Sequence, residues 1–198
     1  MASRGPVEPL PAGTVWPYLY THGGQRPLQW RCGDQPVWLH DVPNLGWLFL
    51  VGSKLDELSK ATGQRWYIAG VTDKAAVVTP TGRWAPPEGI RHLITWSRLD
   101  WRTYGIVGAL TWHTIDAAEM LTSVTAFNLD VTGGRDFGST LAAINVMHEE
   151  AHMAGLAHRD DDPHSATTQR PDVDLSSGWT GHLDGQDRAA LAGLGCAR

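Results

Sequence analysis

With 198 residues, 42% hydrophobic and 19% charged, the chain has the length for one domain with a proper core and the composition of a soluble globular protein, not a disordered one. A formal net charge of −5, with no cluster of Lys and Arg to neutralise phosphates, argues against a nucleic-acid partner. No apolar run approaches the length needed to span a bilayer.

Residues 1–24 are rich in Pro and Gly, end at Gly23-Gly24 and read as an irregular N-terminal arm, which leaves 25–198 as a single domain. A first strand fits Pro36 to His40, after the turn signal Cys32-Gly33-Asp34. The spacing then predicts a helix over Lys54 to Thr62: Ser53 is a good N-cap, Leu55 and Leu58 share a face, and Gly63 supplies the stop. Further strands fit Arg65–Ala69, Leu93–Trp96, Ile106–Leu110 and Val124–Leu129. A second helix starts at Gly138-Ser139-Thr140, carries Leu141, Ile144, His148, Ala151 and His152 on one stripe, and stops at Gly155. The chain then turns polar, through Asp160, Asp161 and Asp162, before a last helix near Gly185 to Leu194 with Asp184 as its N-cap. This order of elements reads as an α/β (α+β) domain with helices packed on one sheet.

Ten tryptophans are many for this size, and their scatter points to core packing and strand faces. Two cysteines, Cys32 and Cys196, lie near opposite ends of the domain. They are either unrelated buried thiols or one disulfide, which would stabilise the fold by about 4–5 kcal/mol in the chain-entropy model. Met1 to Pro6 lack the apolar core of a secretory signal. A signal removed beforehand, another export route and retention inside all stay open, and the expectation taken is a secreted or extracellular protein.

His148-Glu149-Glu150-Ala151-His152 carries the chemistry. Residues four apart stand one helical turn apart, so two imidazoles can reach one ion. Glu149 projects about 100° from His148, within reach of a water at that ion without being a ligand itself. Catalytic zinc needs a third protein ligand and an open fourth position. Gly155 can adopt a left-handed conformation that ends the helix and swings His158 back. The five-residue pattern would arise by chance about once in a hundred such chains, the eleven-residue one roughly once in ten thousand.

That string, His148-Glu149-x-x-His152-x-x-Gly155-x-x-His158, resembles the extended zinc motif of the metzincin metallopeptidases at every defined position. Looser likenesses to small bacterial matrixin-type members are the Trp30-Arg31-Cys32 start, the Ala61–Trp66 helix exit and the Leu183–Asp187 helix start before Leu194-Gly195-Cys196. The resemblance implies a twisted, mixed five-stranded sheet, an active-site helix, a small C-terminal subdomain and a cleft near 155–158. It would make Ile106–Leu110 the antiparallel edge strand to which an extended peptide adds. It also implies a methionine turn under the metal, yet no methionine follows His158 and the region around Ser165 to Gln169 holds Thr.

The function expected is that of a zinc endopeptidase: His148, His152 and His158 hold one Zn2+, and Glu149 is general base to a metal-activated water. Asp160 to Asp162 read first as a solvated acidic loop, and otherwise as candidates for Ca2+ or for acceptors behind a zinc-bound imidazole. The expected partner is a protein or peptide substrate, with no nucleic acid and no membrane span, and the chain is expected to be a monomer. Two other readings compete, a zinc-stabilised binding domain without catalysis and a hydrolase of an envelope polymer. His22, His40, His92, His113, His164 and His182 are expected to be surface or satisfied histidines, with His164 the one placed to reach the site.

Overall fold

The computed structural model describes residues 21–22, 26–104, 108–116, 119–132, 138–159, 165–167 and 181–194. Short pairings come first: β1 (Thr21–His22) runs antiparallel to β2 (Arg26–Pro27), and β3 (Gln29–Trp30) follows. β4 (Gln35–His40) alternates buried and half-buried residues, as a strand covered well on one face should. Gln35, Val37 and Leu39 are its fully buried residues.

The helix expected from Lys54 begins earlier. α1 (Leu45–Thr62) is capped by Asn44, whose side-chain oxygen accepts the Trp47 amide at 3.3 Å. Ser53 is therefore not a cap but an interior residue, and its hydroxyl donates to the Leu50 carbonyl at 2.8 Å. Trp47, Val51, Leu55 and Leu58 form the continuous buried stripe that extends the helix back to Asn44. Gly63, at φ 68°, ends it as expected.

β5 (Trp66–Val71) lies parallel to β4, and a small hairpin joins β6 (Val77–Val78) to β7 (Trp84–Ala85). β8 (His92–Ser97), α2 (Trp101–Tyr104), β9 (Ala109–Ile115), β10 (Glu119–Asn128) and α3 (Leu129–Thr132) complete the middle of the chain. The five longer strands lie in the order β5-β4-β8-β10-β9, parallel throughout except for β9, and β3 adds a short sixth strand beside the start of β10. This is the mixed α/β architecture expected, with an antiparallel strand at its edge. That edge strand is not Ile106–Leu110, however. Residues 105–107 lie outside the described residues, and the strand runs on to Ile115 because Thr111 and His113 alternate with Trp112 between its two faces.

α4 (Thr140–Ala154) and α5 (Gly185–Leu194) close the fold, with α1 packing against both. One hydrophobic core joins Trp30, Trp47, Trp66 and Trp96 to Phe127, Met147, Leu191 and Leu194. Trp30, Trp47, Trp66 and Trp96 are thus accounted for by core packing, while Trp16 and Trp179 lie outside the described residues. Within this core His92 is fully buried and neutral: burial first, then the Arg91 charge, hold its pKa well down. Its Nε2 hydrogen donates to Gln35 Oε1 at 3.0 Å and its Nδ1 accepts from Ser123 Oγ at 2.9 Å. Cys32 is disulfide-bonded, and Cys196, the sequence's other cysteine, lies outside the described residues. No described helix is long and apolar enough to cross a membrane.

One acid ties the C-terminal segment to α1. Glu57 accepts the Leu183 amide at 3.0 Å, His182 Nδ1 at 2.8 Å and the Arg188 guanidinium at 2.7 Å. Gly181, at φ 69°, lies so close to α4 that a Cβ there would sit 2.8 Å from the Ala143 carbonyl carbon. Burial pushes the Glu57 carboxyl up, but the His182 and Leu183 hydrogen bonds and the nearby charges outweigh it and bring the group below its ordinary value. Its contribution to stability is therefore present above the pKa of an unfolded glutamate and lost as pH falls through the lower folded value. Glu57→Ala should cost about 1.5–3 kcal/mol at neutral pH. Thermal unfolding measured from pH 7 to pH 3 should show the variant losing less stability with acid than the parent.

Candidate metal centre

Ser139 caps α4 by accepting the Ala142 amide at 3.1 Å, and the helix then carries His148 and His152 on successive turns. Gly155 ends it at φ 113°. The Leu156 amide donates back to Ala151 O at 3.0 Å and the Gly155 amide to His152 O at 2.8 Å. This pair of bonds is a Schellman turn, which satisfies two carbonyls at the helix end and reverses the chain. Any other residue at Gly155 would be strained at this φ, and its Cβ would meet Met120 Cε at 2.9 Å, so the tip of Met120 would have to move. The turn brings His158 back, with its Nε2 at 3.0 Å from that of His152. His148 Nε2 is also 3.0 Å from His152 Nε2.

The other ring nitrogens decide what those short contacts mean. His152 Nδ1 lies 2.7 Å from Leu156 O, and His148 Nδ1 lies 2.9 Å from Ala166 O. A carbonyl only accepts, so each Nδ1 carries the proton and each Nε2 presents a bare lone pair. Bare lone pairs pointed at each other repel unless a cation sits between them. Nitrogens bound at 2.0–2.1 Å to one tetrahedral ion stand about 3.3 Å apart, within a few tenths of the spacing seen. The three imidazoles fit a divalent metal that takes nitrogen ligands, and they are the one such group among the described residues. Burial and the neighbouring His148 hold the His152 ring well below its ordinary pKa, so it stays neutral as a ligand must. Asp160, Asp161, Asp162 and His164 lie outside the described residues, and no described cluster offers a calcium site.

The carbonyl that orients His148 is itself held from a distance in sequence. Asp187, fully buried in the first turn of α5, accepts the Ala166 amide at 2.7 Å and the Ser165 hydroxyl at 2.8 Å. Its own amide donates to the Asp184 carboxylate at 2.6 Å, so the cap expected at Asp184 is present. Ser165, Ala166 and Thr167 are all buried where the resemblance places a methionine turn. An acid on a neighbouring helix, not a thioether, braces this segment. Nothing local in the sequence announces the link from Asp187 to Ala166.

Glu149 is also buried, only 5% exposed, and Thr111 Oγ1 lies 2.6 Å from its Oε2. Burial pushes its carboxyl up to about 7, against the opposing pull of the Thr111 hydrogen bond. Glu150, one residue on, is fully buried with neither oxygen hydrogen-bonded, and burial raises it well above the ordinary value despite Lys54 nearby. Of the other histidines, His113 donates from Nε2 to Met153 O at 3.3 Å inside the core, and burial lowers it to about 4. His40 pairs with Thr95 and His182 with Glu57, so neither joins the metal group.

No family model matches the sequence, and no curated protein is similar to it. Among solved structures the chain is similar to a zinc-dependent peptidase from Methanocorpusculum labreanum (strain Z), at 12% identity and a TM-score of 0.43, over 79% of this chain and 99% of that one. A likeness so slight carries neither fold nor activity across.

The geometry makes Asp187 a support of the metal group at one remove. Asp187→Ala should lower zinc affinity by about 10–100-fold, as loss of an outer partner commonly does. Competition against a chromophoric chelator measures this, with circular dichroism to confirm that the variant is folded.

Proposed function

We propose that the chain is a zinc-dependent endopeptidase of metzincin-like, matrixin-related type, cutting protein or peptide substrates. The observation that carries this reading is the convergence of the Nε2 atoms of His148, His152 and His158 beside Glu149, a buried glutamate on the helix that carries the first two. A purely structural zinc site is usually closed by a fourth protein ligand, and among the described residues this group supplies three. His148, His152 and His158 would hold Zn2+, which would polarise a carbonyl oxygen and lower the pKa of water. Glu149 would take the proton of the attacking water as general base and pass it to the leaving amine as general acid. A carboxyl held near neutral pKa by burial suits both transfers.

The antiparallel edge of the sheet supports a peptide substrate. β9 has a strand partner on one side only among the described residues, and its Thr111 touches Glu149. An extended peptide added to that edge would lie across the metal group by strand augmentation. The disulfide at Cys32 favours an oxidising compartment and so a secreted protein. One chain carries all four residues, so the proposed active unit is a monomer.

Glu149→Ala should retain zinc and lose about 10²–10⁴ in kcat against a peptide library, whereas His152→Ala should lose the metal. Zinc content by atomic absorption and turnover with and without a chelator read the two effects separately. Turnover by Glu149→Ala at the native rate would end this mechanism. Bound zinc without turnover on any peptide would point instead to a zinc-stabilised binding domain, and activity confined to cell-wall fragments to an envelope-polymer hydrolase.

A further inference from the structure

We propose that Thr111 is the positioning residue for Glu149, holding one carboxylate oxygen so that the other is free to receive the proton; the inference rests on the peptidase reading above. Thr111 and Thr125 stand opposite each other in the β9–β10 register. Their hydroxyls are 2.8 Å apart, and Thr111 Oγ1 is 2.6 Å from Glu149 Oε2. With Glu149 ionised, the state in which it can act as a base, its carboxylate only accepts, and a hydroxyl has one hydrogen to give. The Thr111 hydrogen therefore goes to Glu149, and the Thr125 hydrogen goes to Thr111. The result is an ordered chain from Thr125 through Thr111 to Glu149.

Each link is stiff. Thr125 is fully buried in β10, and both threonines are β-branched residues on paired strands, with restricted χ1. Thr111 Oγ1 also lies 3.4 Å from the Glu149 carbonyl, so the hydroxyl sits over the helix at that residue. With Oε2 engaged, Oε1 is the oxygen assigned to the chemistry. A general base must be aimed as well as basic, because proton transfer depends on geometry at hydrogen-bond range. Thr111 does that aiming from the sheet, through a hydrogen bond to a charged group, the stronger kind. The same strand carries the edge at which a peptide would add, so substrate and base are registered to one element.

The experiment uses the full zinc-loaded chain with Thr111→Val, Thr111→Ser and Thr125→Val, and Glu149→Ala alongside. Thr111→Val should lower kcat by about 10–100-fold with KM and zinc content unchanged. Thr111→Ser should restore most of the rate, and Thr125→Val should fall between. In the parent protein, zinc-free as well as loaded, proton NMR should show a slowly exchanging Thr111 hydroxyl with a cross-peak to Glu149. If Glu149→Ala is inactive while Thr111→Val matches the parent, the positioning role is overturned and the peptidase reading stands. Activity retained in Glu149→Ala would overturn that reading itself. Loss in Thr111→Val that Thr111→Ser does not recover would mean packing, not the hydroxyl, and also overturns the proposal. Should Thr111→Val not fold, the hydroxyl resonance decides alone, and a Thr111 hydroxyl in fast exchange rejects the assignment.

Discussion

Two backbone carbonyls, Leu156 O and Ala166 O, set the state of the metal group. By accepting the Nδ1 hydrogens of His152 and His148 they fix the tautomer of each ring and turn its Nε2 lone pair inward. Each of the two segments that carry those carbonyls is held by its own hydrogen bonds. Leu156 is held by the Schellman turn at Gly155, a purely local device. Ala166 is held from α5 by Asp187, a device that spans 21 residues of sequence.

The sheet and α1 supply the rigidity behind this arrangement. α4 rests on β9 and β10 on one side and on α1 on another. Glu57 and Lys54 of α1 grip the 181–183 segment that leads into α5, the Lys54 ammonium donating to Gly181 O at 2.6 Å. α5 in turn carries Asp187. A line of contacts thus leads from α1 through Glu57 and Asp187 to a carbonyl at the first histidine. Side chains far from the metal group consequently govern its geometry, which is how outer partners tune metal sites in general.

The parts legible in the sequence were those governed by local periodicity. The i, i+4 histidines, the cap at Ser139, the glycine stops at Gly63 and Gly155 and the whole of α5 follow from spacing and capping alone. The start of α1 was missed because Ser53 resembles a cap while Gly52 lowers helix propensity just before it, and only tertiary burial of Trp47 and Val51 extends the helix back. The edge strand runs past the apolar stretch near Leu110, because the weaker alternation of Thr111, Trp112 and His113 carries it on to Ile115. Thr111 and Asp187 left no trace at all. Their roles come from partners 38 and 21 residues away, and no pattern within one element encodes such a pairing.

β9 has a strand partner on one side only among the described residues, which has a further consequence for how the protein behaves in bulk. Natural sheets discourage edge-to-edge association with lysine, proline or a bulge along an exposed strand. The seven residues Ala109 to Ile115 contain no lysine, arginine or proline, and Ile115 at the far end is 40% exposed. On the proposed reading, the backbone edge that would take an extended peptide could also pair with another copy of this chain. Crowded or concentrated protein would place self-pairing in competition with whatever β9 is kept open to receive, and colloidal stability and access to the metal group become two demands on the same backbone.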